Sequence, residues 1–287
     1  MAESAPAVND GRQRVAAIQM SSVDSVQENL RTTERLLQQA QAEGCVLAVL
    51  PENFAYIGKR DTDKLAIAER EGNGPIQDFL SRTAQGLSIW VVAGSMPLKT
   101  PETELCYGAS YVFDTEGRAR SCYRKIHLFD VDLPERGESY RESESMDAGD
   151  LPRSVATPVG HLGLSICYDL RFPELYRRLA DEGSEVYTVP AAFTFATGTA
   201  HWHTLLRARA IENLAYVIAA GQHGTHPNGR TTYGHSMIVD PWGRVLAEQE
   251  AGDGVVVAEI DLPLARKLRK EFPVLQHRRL WSTTKDF

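Results

Sequence analysis

The sequence predicts an α/β protein. Short, almost wholly apolar segments recur along it, as strands buried on both faces require. Amphipathic stretches of helical period lie between them. After a central interlude of hairpin character, the same alternation resumes. Val15-Ala16-Ala17-Ile18-Gln19-Met20 reads as a first buried strand. Ser25 with Glu28 forms a capping box that opens a helix whose apolar face is Val26, Leu30, Leu37 and Ala40, and Gly44 ends it. Cys45 to Leu50 is a second buried strand, closing on Pro51-Glu52. Ile76, Phe79 and Leu80 mark another helix, and Ile89 to Ala93 a third strand. Tyr107 to Phe113 and Arg118 to Arg124 flank Asp114-Thr115-Glu116-Gly117, which reads as a hairpin turn.

Asp130 to Asp150 is acidic and weakly periodic, and reads as a long loop of the kind that often carries function. Beyond it come strand Leu162 to Ile166, helix Pro173 to Glu182 and strand Val186 to Val189. A helix from about His201 to Asn213 follows, then strands Tyr216 to Ala220 and His235 to Val239. Asp240-Pro241-Trp242-Gly243 is a turn by composition. Val245 to Ala247 and Val255 to Ile260 add two strands, and a helix begins at Pro263. No internal repeat or low-complexity linker divides the chain. Residues 14–280 therefore read as one domain, with tails at 1–13 and 281–287.

The 287 residues are 43% hydrophobic and 24% charged, which suits a globular chain with a large core. A net charge of −7 and the lack of a basic run argue against nucleic acid as a partner. No apolar stretch reaches the roughly 18 residues of a membrane span. The segment Met1 to Gln13 is polar, with no apolar signal core, so a cytosolic (cytoplasmic) location is expected. Four cysteines, Cys45, Cys106, Cys122 and Cys167, form no Cys-x-x-Cys pair and no disulfide or zinc framework. The first three sit in or beside strand-like segments and read as small buried hydrophobes.

Cys167 differs. It stands where a buried strand stops and a helix is about to start, with Pro173 near a first helical position. A thiol there can stand clear of the sheet, with the next backbone N–H groups aimed at whatever it attacks. An inert buried thiol is the alternative reading. Two further reactive side chains share the placement. Glu52 follows one buried strand and Lys125 follows another. Residues at the carboxyl ends of strands converge on one crevice in open α/β sheets. A thiolate to attack carbon, a carboxylate to carry the proton and an ammonium to steady an oxyanion are what amide hydrolysis needs. Singly, Glu52 would read as a solvated loop carboxylate and Lys125 as surface charge.

Pro51-Glu52-Asn53, Arg124-Lys125-Ile126-His127-Leu128-Phe129-Asp130 and Cys167-Tyr168-Asp169-Leu170-Arg171-Phe172-Pro173-Glu174 resemble the Glu–Lys–Cys signatures of the nitrilase superfamily, the carbon–nitrogen hydrolases. The resemblance runs from about Arg14 to Arg279. It implies a four-layer α-β-β-α sandwich, a homodimer, and catalysis by Glu52, Lys125 and Cys167 with the Tyr168 N–H on the oxyanion. It also implies a second, supporting glutamate after the lysine. Glu142 is the best match, with Glu138 and Glu144 left open. The segments Ala192-Phe193-Thr194, Thr197 to Trp202 and Arg207 to Asn213 resemble the nitrilase-like amidase branch. Tyr233 to Gly243 and Pro273 to Arg279 are closer to its deaminated glutathione amidases than to its ω-amidases. The former cleave glutathione whose amino group has become a ketone, releasing α-ketoglutarate and cysteinylglycine.

The resemblance therefore implies an amidase for a small-molecule ketoacid amide. An ω-amidase acting on α-ketoglutaramate, another carbon–nitrogen hydrolase, and a catalytically silent interaction protein of the same fold are the alternatives. No cofactor is implied. His201 with His203, or His223 with His226, suggest a metal at first sight. No acidic partner has matching spacing, and no metal is expected in the chemistry. Arg207, Arg209 and Glu212 share a helix and read as structural ion pairs, with a substrate-carboxylate role as the minority view. Arg171 is a further candidate for that carboxylate. The ammonium of Lys125 is expected to favour the thiolate of Cys167.

Overall fold

Seventeen strands and five α-helices build the described part of the chain, residues 11–133 and 138–280 of the computed structural model. Strand β1 (Arg12–Gln19) leads into α1 (Val26–Ala42), where the Ser25 hydroxyl accepts the Glu28 N–H at 3.4 Å. Gly44 then takes a left-handed φ of 76° that turns the chain back toward the sheet. β2 (Leu47–Val49), α2 (Pro75–Leu87, with Pro75 in the first turn) and β3 (Trp90–Val92) follow. β4 (Met96–Lys99), β5 (Cys106–Phe113) and β6 (Ala119–Arg124) complete the first half. The β5–β6 hairpin closes as expected, with the Asp114 N–H donating to Arg118 O at 3.0 Å.

The acidic stretch after β6 is more ordered than its sequence suggests. It holds a small hairpin, β7 (Asp130–Leu133) with β8 (Glu138–Arg141), and a 3-10 turn at Glu142–Glu144. Then come β9 (Ser154–Thr157), β10 (Gly160–Leu164), α3 (Pro173–Asp181), β11 (Val186–Ala191), α4 (Phe195–Asn213) and β12 (Tyr216–Gly221). A hairpin of β13 (His223–Thr225) and β14 (Thr231–Tyr233) precedes β15 (Ser236–Val239), β16 (Val245–Gln249), β17 (Gly254–Asp261) and α5 (Leu262–Glu271).

The strands form two main sheets. One has the order β17-β1-β2-β3-β5-β4, with β6 paired to β5. The other has the order β16-β15-β12-β11-β10-β9. The centre of each is parallel: β1, β2 and β3 in the first, β10, β11 and β12 in the second. Side-chain alternation then sets the layers. Ala16, Ile18, Ala48 and Val91 face outward onto Leu36, Leu37 and Ala40 of α1 and onto Ile76, Leu80 and Ala84 of α2. Val15, Ala17, Leu47 and Val49 face inward and join the core of the second sheet. That core continues to Leu175 and Leu179 of α3 and to Trp202, Leu206 and Ala210 of α4. The result is the four-layer α-β-β-α sandwich, and each fully buried leucine in it contributes about 1.5–3 kcal/mol.

Three local expectations need correction. The tail expected at 1–13 gives way to strand at Arg12, because Arg12 and Gln13 pair with Asp261 and Ile260 of β17. Residues 1–10 and 281–287 of the expected tails lie outside the described residues. Helix α4 begins at Phe195 rather than near His201, because the Thr194 hydroxyl accepts the Thr197 N–H at 3.3 Å. Gly198 sits within its first turns because the Tyr233 ring lies so close that a Cβ would come within 2.3 Å of it. Finally, a 3-10 turn at Cys167–Arg171 stands between β10 and α3, so Cys167 does not open the helix directly.

Candidate active site

Glu52 lies just past β2, Cys167 just past β10 and Ala192 just past β11, all at strand carboxyl ends. Lys125 directly follows β6. One cavity, opening where the two sheets meet, is lined by Glu52, Lys125, Glu142, Cys167, Tyr168 and Ala192 among others. The structure thus brings Glu52, Lys125, Glu142, Cys167 and Tyr168 to one place.

Lys125 is buried at the foot of this cavity. Its Nζ donates to Glu52 Oε1 at 2.8 Å and lies 2.8 Å from both Glu142 oxygens. Of the three candidate glutamates Glu138, Glu142 and Glu144, it is Glu142 that reaches Lys125. Glu138 instead accepts from the Tyr140 hydroxyl at 2.9 Å, and Glu144 is exposed. The Phe129 N–H donates to Glu142 Oε2 at 2.7 Å, which fixes the carboxylate from its far side. Glu52 Oε2 accepts the Ala192 N–H at 2.8 Å, joining the two sheets through the carboxylate. Gln222 donates to Glu52 O at 2.9 Å and to Ser22 Oγ at 2.7 Å, which ties the same loop to the ends of β12 and β1.

Electrostatics follow from this packing. Burial opposes the charge on Glu52, but Lys125 outweighs it and holds the carboxyl below its ordinary value. Burial likewise opposes the charge on Lys125, and Glu142 and Glu52 outweigh it, so the ammonium is held well above the ordinary lysine value. Cys167 behaves otherwise than expected. Burial first, and then the negative charge of Glu52, push its thiol well above the ordinary value; Lys125 pulls the other way and loses. The resting group is a thiol, in the cavity that Glu52 also lines.

Backbone geometry singles out the same residue. Cys167 has φ +46°, a left-handed conformation that a non-glycine residue holds only when its surroundings impose it. The imposing residue is Asp169, which sequence reasoning left without a role. Fully buried, it accepts the Ile166 N–H at 2.8 Å, the Tyr123 hydroxyl at 2.7 Å and the His127 N–H at 3.1 Å. One carboxylate thereby clamps the turn of Cys167 to the segment carrying Lys125. The signal in the sequence was an acidic residue two places after the candidate nucleophile, where it can turn back onto the backbone. The Ala192 N–H was also missed as a site group, although it ends a strand at the same edge as Glu52.

The upper cavity is aromatic and basic. Tyr56, Phe129, Tyr140, Tyr168 and Phe193 line it together with Arg60, Lys64, Arg171 and Arg230. Arg171 pairs with no carboxylate of the described residues. Its guanidinium lies 3.2 Å from His201 Nδ1 and over the rings of Phe193 (5.1 Å) and Tyr168 (5.8 Å), and burial depresses its pKa. Arg207 and Arg209 do not reach the cavity. Arg209 turns inward to Leu170 O at 2.7 Å and Glu212 at 2.9 Å, and Arg207 donates to Gly243 O at 2.8 Å. The expected ion pair forms between Arg209 and Glu212, whereas Arg207 holds a backbone carbonyl instead.

A sandwich of two mixed sheets with a thiol, two carboxylates and an ammonium at its crevice defines a hydrolase of carbon–nitrogen bonds. The comparisons agree: residues 14–270 match the family described as carbon–nitrogen hydrolase, and the chain belongs to it. It is 42% identical over 268 residues to the deaminated glutathione amidase of Mus musculus, covering 92% of this chain and 83% of that one. It is 43% identical over 266 residues to the protein of the same name from Synechocystis, covering 92% and 97%. Among solved structures, Saccharomyces cerevisiae Nit3, a member of branch 10 of the nitrilase superfamily, superposes with a TM-score of 0.84 at 30% identity. That match covers 94% of this chain and 97% of the yeast chain. The protein is an amidase by class.

Proposed function

We propose that the chain hydrolyses the amide of deaminated glutathione, releasing α-ketoglutarate and cysteinylglycine through a Cys167 acyl-enzyme. The observation that carries the chemistry is Lys125 Nζ held 2.8 Å from Glu52 and Glu142 in the cavity that contains Cys167. Glu52 takes the thiol proton as Sγ attacks the amide carbon. The carbonyl oxygen becomes an oxyanion, and Lys125 and the Tyr168 N–H stabilise it. Glu52 then gives the proton to the departing amine, which leaves as cysteinylglycine. Water, deprotonated by the same carboxylate, attacks the thioester, and its collapse frees the ketoacid and returns the proton to sulfur. Glu142 acts through Lys125, keeping its charge and direction.

The substrate reading rests on the identity to relatives of that name and on Arg171. A half-buried guanidinium without a carboxylate partner suits the carboxylate of a ketoacid, which it can bind bidentately. Exposed apolar side chains, among them Ile211 and the ring pair Trp242 and Phe272 (5.9 Å between centroids), support a homodimer. The four free cysteines support a reducing compartment, here the cytosol. Among the described residues, no helix is long and apolar enough to cross a membrane.

Competition kinetics at fixed salt test the substrate. The kcat/KM for deaminated glutathione should exceed those for α-ketoglutaramate and intact glutathione. Equal or inverted values reject this substrate and leave a general amidase.

A further inference from the structure

A second cluster of reactive side chains lies outside the cavity. His203 on α4, His235 just before β15 and Glu248 on β16 place one imidazole nitrogen each and a carboxylate oxygen within 4.8 Å of one another. Among the described residues this is the one group of three such side chains. His203 Nε2 lies 2.8 Å, and His235 Nδ1 2.6 Å, from the same oxygen, Glu248 Oε1. None of the three lines the active-site cavity.

We propose that His203, His235 and Glu248 bind a divalent transition-metal ion of the zinc class. Two imidazoles and one carboxylate, with a fourth position open, form a well-known donor set for zinc. At metal–ligand distances of about 2.0–2.2 Å, tetrahedral donors stand roughly 3.3–3.5 Å apart. An ion would therefore need the two contacts to Glu248, now 2.8 and 2.6 Å, to open by about 0.5–0.9 Å. His235 and Glu248 are also held in place by their surroundings. His235 has φ +53°, its carbonyl accepts the Trp202 indole N–H at 2.8 Å, and its ring stacks on Tyr233 at 4.1 Å. Glu248 is fixed by the pairing of its strand with Met237. All three side chains keep some exposure, so an ion has a way in.

The cluster also sits one residue behind the pocket wall. Trp202, which donates to His235, packs on Phe193 at 5.0 Å, and Phe193 lines the cavity. An ion here would join α4 to the β15–β16 hairpin and brace that wall. It takes no part in the amide chemistry.

The test uses full-length protein carrying Cys167→Ala, so that the cavity thiol cannot serve as a ligand, with Zn²⁺ and Co²⁺ as probes. Equilibrium dialysis should give one Zn²⁺ per chain at micromolar metal, and Co²⁺ should show the visible d–d absorption of a four-coordinate nitrogen and oxygen site. His203→Asn and Glu248→Gln should each weaken Zn²⁺ binding by about tenfold or more. Glu248→Gln keeps an oxygen for both imidazoles to bond, so loss of binding there is not loss of the fold. Zn²⁺ should raise the melting temperature of the parent and of neither variant. Unchanged binding in both variants, or no stoichiometric binding by the parent, overturns the proposal and leaves the cluster as a hydrogen-bonded clamp.

Discussion

The phenol of Tyr123 donates to the buried carboxylate of Asp169 at 2.7 Å, and this bond joins the strand leading to Lys125 to the turn that holds Cys167. Two groups from distant parts of the chain are thereby set in register by a pair that touches neither substrate nor proton. Tyr123→Phe removes one of the donors to a carboxylate with zero exposure. The expected cost is about 1–3 kcal/mol of stability, read as a lower midpoint in urea denaturation. Turnover should fall with it, through kcat more than KM. A variant as stable and as active as wild type would show that the clamp is incidental.

Lys125 bridges the carboxylates of Glu52 and Glu142. Lys125→Met would leave Glu52 and Glu142 facing each other in a buried site. Breaking a buried ion pair in this way costs roughly 3–5 kcal/mol near neutral pH. The sign with pH follows. Without the ammonium, burial and the neighbouring charge raise the Glu52 carboxyl, so the folded variant takes up a proton before the unfolded chain does. Its deficit relative to wild type should therefore shrink as pH falls through the range where Glu52 protonates. A deficit that grows toward acid pH would contradict the charge arrangement.

Glu142→Gln keeps the shape of the support and removes its charge. Lys125 stays paired with Glu52, so the rate should fall less than the loss of about 10²–10³ expected when an oxyanion donor is removed outright, as in Lys125→Gln. A loss for Glu142→Gln as large as that for Lys125→Gln would make Glu142 more than a support.

Cys167 rests as a thiol because burial and the Glu52 charge outweigh Lys125. Glu52→Gln removes that negative charge and lowers the thiol pKa. The pH profile of iodoacetamide alkylation should shift to lower pH in Glu52→Gln, while amide turnover falls by about 10²–10⁴ through loss of the general base. The same substitution is thus expected to make the sulfur more acidic and the enzyme slower. An alkylation profile shifted to higher pH would reverse the assigned balance.

Much of this was legible in the sequence. Glu52 and Cys167 follow the parallel strands β2 and β10, whose carboxyl ends carry such positions, and Lys125 follows β6, the antiparallel partner of β5. Glu142 was harder, because Glu138 and Glu144 flank it in the same acidic stretch; only the 3-10 turn aims one of them inward. The start of α4 was hidden because its buried side is mixed: Gly198, Arg209 and Asn213 share it with Trp202, Leu206 and Ala210, so apolar periodicity marks only its second half. β4, β9 and the β13–β14 hairpin are three or four residues each, too short to show alternation. Lys125 does favour the thiolate of Cys167, as expected, but its weight against burial and Glu52 was not legible. A sequence shows that a cation is near but not how much water the sulfur loses, and burial decided the sign. His203, His235 and Glu248 are separated along the chain and meet only through α4 and a strand pair.

Arg171 tests the substrate reading from the protein side. Arg171→Met should raise KM for a ketoacid amide by more than it lowers kcat, since the guanidinium binds the carboxylate equally in ground and transition states. An amide without a carboxylate should be hydrolysed by wild type and variant at similar kcat/KM. Equal loss on both substrates would move Arg171 from recognition to structure.

The most direct measurement is turnover of deaminated glutathione by Cys167→Ala, with circular dichroism and thermal melting recorded on the same sample. The thiol is the one atom on which both halves of the reaction form and break bonds. The protein should keep its fold and show no turnover above the uncatalysed rate. Near-normal turnover by the folded variant would contradict the account at its centre.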